Sequence, residues 1–282
     1  APILPNKIGI NAPVRLNDGG HFSEHGARIV GDLILDKMIK DQVITDKQIT
    51  SQTPQPEQKT ITKVEKLLQP YQRFLLIGDS TMYDLGTTIN YNLRKSYQVK
   101  NIKLSYKIST GLNRIDFYDW YGKTSELINS YQPDALIVIF GGNDDQDIID
   151  SQGKYSVIFT EGWKKTYRER VERYAKLVSD SSVKKVYWIG HPISNVPRFN
   201  KFFPIINEIY KDVIKDYPKI EFIDTWNAFA VDGKFSPIIA SKSGKQSYIR
   251  SSDGVHFTEH GAKIIGDLII DKMAEENAIK AH

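Results

Sequence analysis

Apolar residues along this chain gather into short unbroken runs separated by longer amphipathic stretches. Phe74-Leu75-Leu76-Ile77 stops at Gly78, and Ala135 to Phe140 is apolar throughout. Runs of this kind, without alternation, suit strands covered on both faces. Lys185 to Gly190 and Ile220 to Ile223 predict two more, and Val99 to Ile108 alternates well enough for another. Helical spacing predicts helices over about Tyr83–Lys95, Trp120–Tyr131, Gly162–Val178 and Phe203–Tyr217. Pro133 stops the second of these, and Thr258 caps a last helix with Glu259 in its first turn. Trp163, Tyr167, Val171, Tyr174 and Ala175 share one helical face and are expected in the core. Strands alternating with helices predict an α/β fold, with a parallel sheet covered on both faces. Ligands of such a sheet gather beyond the carboxyl ends of its strands.

The N-terminal segment breaks this pattern. Shifted by 235 positions, Asp18 to Met38 falls on Asp253 to Met273, with 16 of 21 residues identical. Residues 1–45 therefore duplicate the C-terminal block and its helix. Residues 46–60, with Pro54 and Pro56 among Thr, Ser and Gln, predict a linker, and 61–282 the main domain. The copy is expected to be an appendage packed elsewhere. The alternative is that it stands in for its twin, within the chain or across a swapped homodimer.

Composition narrows the function. The chain has 282 residues, of which 40% are hydrophobic and 26% charged, as in ordinary globular domains. The absence of cysteine excludes disulfides, a thiol nucleophile and thiolate metal sites. The net charge of +4 is spread without a basic stripe, which argues against nucleic acid as a partner. No apolar run is long enough to span a bilayer. The chain opens on Ala1, and the expectation is that a preceding segment has been removed.

Candidate chemistry sits where strands end. Gly78-Asp79-Ser80 places a hydroxyl at a strand-to-helix turn, where helix N–H groups can face a reacting carbonyl. Asp253-Gly254-Val255-His256 offers a base, His256, with Asp253 three residues away to orient it. Asn143, after Gly141-Gly142, can donate its amide to an oxyanion, and Gly111, after Ser109-Thr110, can add a backbone N–H. His256 and His260 lie four apart, but the zinc-protease pattern needs Glu where Phe257 stands, and no third ligand is evident, so no metal is expected. Each word alone would pass for a turn or a cap. Their order and complementary roles point to acyl transfer.

In these residues the chain resembles the SGNH hydrolases, also called the GDSL family, whose blocks carry Ser, Gly, Asn and His with Asp three before the His. Those fall here on Ser80, Gly111, Asn143, His256 and Asp253. The likeness runs from about Phe74 to Met273. It is closer to a bacterial SGNH branch catalogued as a domain of unknown function, through Ser109 to Arg114, Asp119-Trp120, Gly142 to Gln146 and Trp163 through Tyr167 to Arg170. The resemblance implies a three-layer α/β/α sandwich, flavodoxin-like, with no cofactor. It implies a serine esterase removing O-acyl groups, such as O-acetyl, from a cell-envelope polysaccharide or peptidoglycan. The alternatives are an O-acyltransferase served by a membrane-associated acyl donor protein, or a non-catalytic envelope protein keeping the fold. An extracytoplasmic location is expected with any of them. The family carries one Asp-x-x-His block and this chain has two, so His21 competes on paper with His256.

Overall fold

Side-chain alternation along three central strands builds two separate cores, one on each face of a sheet. The computed structural model describes residues 3–5, 11–13, 30 and 70–280. The chain divides into two units, Ala1–Leu67 and Leu68–His282. In the first, β1 (Ile3–Pro5) pairs antiparallel with β2 (Asn11–Pro13). The linker and the copied pair Asp18 and His21 lie outside the described residues, as do the expected packing and homodimer roles of the copy.

In the second unit β3 (Arg73–Gly78), β4 (Asn101–Tyr106), β5 (Ala135–Ile139), β8 (Lys185–Ile189) and β9 (Ile220–Ile223) form a parallel sheet. Its order is β4-β3-β5-β8-β9. The direction of winding reverses between β3 and β5, and a crevice must open beyond their carboxyl ends. Leu75, Ile77, Leu136, Val138, Val186 and Trp188 face one core. Helices α2 (Trp120–Tyr131), α3 (Glu161–Asp180) and α4 (Pro197–Ile214) cover it. Phe74, Leu76, Ile137, Tyr187 and Ile189 face the other, under α1 (Ser80–Tyr97) and α5 (Glu259–Glu275). This is the three-layer α/β/α arrangement. Trp163, Tyr167, Val171, Tyr174 and Ala175 are all fully buried.

Several boundaries differ from expectation. Helix α1 begins at Ser80 rather than Tyr83, because Asp79 caps it. Helix α4 begins at Pro197, a residue preorganised for a first turn, and carries Pro204 inside it. The strand expected over Val99–Ile108 is paired only from Asn101 to Tyr106. A hairpin of β6 (Ile148–Ile149) and β7 (Tyr155–Ser156) follows β5. The stretch after β9, expected as loop, holds a 3-10 turn (Trp226–Phe229) and two hairpins. These are β10 (Ala230–Val231) with β11 (Lys234–Phe235), and β12 (Ile238–Ala240) with β13 (Gln246–Tyr248). Strands of two or three residues are too short to show a period.

Ile137 lies on the middle strand and is fully buried. Ile137→Ala should lower unfolding free energy by about 2–5 kcal/mol through lost contacts and a cavity. Urea unfolding should show the midpoint falling with an unchanged slope.

Candidate active site

The loops after β3 and β5 are joined by one buried carboxylate. Asp79 Oδ1 accepts from Thr81 N (2.9 Å) and Thr81 Oγ1 (2.6 Å). Its Oδ2 accepts from Gly141 N (3.1 Å) and Gly142 N (2.9 Å). Burial pushes the Asp79 carboxyl up to about 6, and the bonds from Thr81 and Gly142 oppose that rise. Gly141 has φ +124°, and a Cβ there would lie 2.5 Å from Ile206 Cδ1. Beneath it, Tyr210 Oη donates to the Phe140 carbonyl (2.9 Å), which His191 Nε2 also meets at 2.9 Å. Burial pulls His191 down to about 3, so it is a neutral structural imidazole.

Ser80 opens α1 directly beside this junction. His256 Nε2 lies 2.8 Å from Ser80 Oγ, and His256 Nδ1 lies 2.7 Å from Asp253 Oδ2. The carboxylate fixes Nδ1 as the protonated nitrogen and leaves Nε2 to accept from the serine. Asp253 Oδ1 accepts from Val255 N (2.9 Å) and His256 N (3.0 Å). Desolvation pushes the Asp253 carboxyl up, but bonds from the His256 imidazole and these two amides outweigh it and hold it below the usual carboxylate value. Ser80 and the Asp253–His256 pair, far apart in sequence, thus form one hydrogen-bonded chain.

Asn143 lines the same cleft, of about 630 Å³, with Ser80, Ser109, Phe117 and His256. Asn143 Nδ2 donates one hydrogen to the Thr110 carbonyl (3.0 Å). Its amide has a second hydrogen. Gly111 is buried, and a Cβ on it would fall 2.0 Å from Asp144 Oδ1. The glycine is needed there because Asp144 closes on this loop, accepting from Leu112 N (3.0 Å), Asn113 N (2.9 Å) and Tyr167 Oη (2.7 Å). Ser109, at φ +60°, Arg114 and Phe117 from the same loop line the cleft. His260 Nε2 turns away to the Ile239 carbonyl (2.8 Å), so the two histidines do not converge.

The profile of a family described as "Protein of unknown function (DUF459)" matches residues 73–272. The chain belongs to this family. No curated protein sequence matches it. Among solved structures it is similar to a lipase/acylhydrolase from Enterococcus faecalis, at 15% identity and TM-score 0.49, over 74% of this chain and 98% of that one. It is also similar to the lipopolysaccharide acetyltransferase periplasmic domain of Salmonella ser. Paratyphi A, at 13% and 0.48, over 77% and 89%. A third is the catalytic domain of peptidoglycan O-acetyltransferase A from Streptococcus pneumoniae, at 13% and 0.43, over 74% and 97%.

In this DUF459 chain three further residues, which motif reading missed, hold the His256 loop. The Arg250 guanidinium is nine-tenths buried between Phe229 and Phe257, 5.2 and 5.1 Å from their ring centres. It donates to the carbonyls of Val255 (2.5 Å), Pro192 (2.8 Å) and Ile193 (3.2 Å). Burial lowers Arg250 to about 9, and the Asp253 carboxylate partly offsets that, so it stays a cation at neutral pH. Ser194 Oγ donates to the Gly254 carbonyl (2.9 Å), and Asp84 Oδ2 accepts from Phe257 N (3.1 Å). Asp84 lies one helical turn beyond Ser80, a spacing that could have flagged it. Arg250 precedes the Asp-x-x-His word by three residues, but nothing in that spacing shows its burial.

Arg250→Met leaves three carbonyls short of a donor and frees the turn bearing His256. Its reaction rate with a serine-directed phosphonate should fall about 10–100-fold, since displacements near 1 Å carry costs of that order. Arg250→Lys, which keeps a buried cation, should fall less, as read by stopped-time phosphonate labelling.

Proposed function

We propose that the protein is a serine-dependent O-acyl esterase. The observation that carries this reading is the Ser80–His256–Asp253 chain, with bonds of 2.8 and 2.7 Å, opening into the crevice between β3 and β5. In this mechanism Ser80 Oγ attacks the ester carbonyl while its proton passes to His256 Nε2. The ionised Asp253 stabilises the resulting imidazolium. The oxyanion is met by the Ser80 backbone N–H at the start of α1 and by the free Asn143 amide hydrogen. His256 then protonates the departing alkoxide, leaving an acyl-serine. Water deprotonated by His256 attacks that acyl group, releases the acid and returns the proton to Ser80.

The cleft favours a short acyl group. Phe117, Phe199 and Val255 supply its apolar surface, while Arg114, Gln146, Arg198 and Asp145 make much of the rest polar. A long chain would need a deeper apolar channel. An O-acetyl ester on a cell-envelope glycan, outside the cytoplasm, is the substrate and setting that the sequence resemblance supports. Transfer to a glycan hydroxyl would proceed through the same acyl-serine, with the hydroxyl replacing water.

Ser80→Ala should abolish release of p-nitrophenol from p-nitrophenyl acetate while leaving the melting temperature within a few degrees. A nucleophile's loss costs several orders of magnitude, so a residual rate above about 10% refutes the assignment. His256→Ala should behave likewise and His21→Ala should retain activity. Asn143→Ala should lower kcat by about 10²–10³ with a smaller change in KM. A change confined to KM would make Asn143 a ground-state binding residue.

A further inference from the structure

A second cavity, of about 770 Å³, adjoins the Ser80 cleft, and Arg114 and Gln146 line both. Its other walls come from the 113–116 turn, the β6–β7 hairpin and one face of α3. The cavity joins exposed apolar surface to many hydrogen-bond acceptors. Tyr155 and Ile149 are more than half exposed on the hairpin. Tyr155 Oη donates to Asp147, which anchors the ring at its hydroxyl end.

Most of the charges lining the cavity have partners within the protein. Arg114 pairs with Asp116 at 2.7 Å. Arg170 donates to the carbonyls of Leu112 and Ile149, and Arg173 lies 4.2 Å from the Tyr121 ring centre. Of the three, Arg114 and Arg170 are held by hydrogen bonds among the described residues, and Arg173 is turned onto the Tyr121 ring. Asp116, Asp147, Asp150 and Glu169 add four carboxylates against three arginines. The Arg114 guanidinium holds Asp116 below the usual carboxylate value, and the Tyr155 hydroxyl does the same for Asp147. Both are ionised at neutral pH and retain lone pairs for hydroxyl donors. The excess of carboxylates disfavours a polyanion here, and a lipid chain would bury their remaining lone pairs without donors. A neutral ligand rich in hydroxyls, with flat C–H faces to lie on an aromatic ring, satisfies both kinds of surface.

We propose that this cavity is a subsite for a neutral glycan chain, which runs from the ester at Ser80 across Gln146 and Arg114 to rest against Tyr155. The inference rests on the esterase reading for its purpose but not for its test. Binding to the Ser80→Ala full chain is followed by ¹H–¹⁵N NMR, with cellohexaose, xylohexaose and chitohexaose as neutral probes and hexagalacturonate as the anionic one. At least one neutral probe should saturably shift the amides of Gln146, Ile149 and Tyr155. Tyr155→Ala should weaken that binding about 5-fold or more, as for loss of an aromatic platform, and Tyr155→Phe should restore it to within about twofold. Ile149→Glu, which keeps Tyr155, should weaken it as well and serves if Tyr155→Ala disturbs the hairpin. Hexagalacturonate should bind at least about 10-fold more weakly. No saturable shift with any neutral probe, shifts confined to another face, indifference to both variants, or tighter binding of hexagalacturonate would each overturn the proposal. Failure of the wild-type chain to react with a serine-directed phosphonate would instead refute the esterase reading and leave these binding results standing.

Discussion

The buried carboxylate of Asp79 is the constraint on which the site depends. It stands at the one place where the sheet's winding reverses, and it receives donors from both loops that leave there. A fully buried aspartate is costly unless its oxygens are paired. The four bonds that offset the cost also fix the start of α1 relative to the Gly141-Gly142 turn. Ser80 and Asn143 follow those two anchors by a single residue each. Their spacing is therefore set by a hydrogen-bond network below the cleft, and neither side chain has to carry it.

His256 arrives by a different route. His256 reaches Ser80 from 176 positions further along the chain. The loop that brings it spans the hairpins after β9 and ends in α5, which packs beside α1 on the same face of the sheet. Three polar anchors, Arg250, Ser194 and Asp84, clamp this loop to the segment after β8 and to α1, the helix that begins at Ser80. Among the described residues Arg250 meets no carboxylate; its two terminal nitrogens donate to carbonyls and its plane lies against two aromatic rings, while Nε has no partner. Such a cation is hard to move, because any displacement strands charge in an apolar pocket. The division of labour is clear: a buried anion organises Ser80 and its neighbouring amides, and a buried cation organises His256.

Asp144 extends the same logic to the second strand loop. Its carboxylate draws Leu112 and Asn113 inward, and Tyr167 and Tyr210 continue the network to the Phe140 carbonyl. Gly111 leaves room for that carboxylate, and Ser109, Arg114 and Phe117 of the same loop line the cleft. The same loop continues into Asn113 and Arg114, which border the adjoining cavity. The cleft and the cavity are thus shaped by one buried acid and the turn wrapped around it.

The layer order of the fold was legible in the chain, because unbroken apolar runs and helical periods report burial directly and need no partner to be identified. Trp120–Tyr131 and Ile220–Ile223 emerged with the expected ends. Ser80, Asn143, Asp253 and His256 were legible for a related reason: each sits in a short word whose residue types are complementary in chemistry. The short hairpins, the early start of α4 at Pro197 and the roles of Arg250, Asp84 and Ser109 were not. Two-residue strands carry no period, and a buried arginine or an inward-turned glycine is defined by neighbours distant in sequence. The sequence by itself determined which groups could react and the order of strands and helices that carries them. Only the tertiary structure decided which groups meet, because hydrogen-bond partnership and desolvation are properties of what surrounds a residue in space.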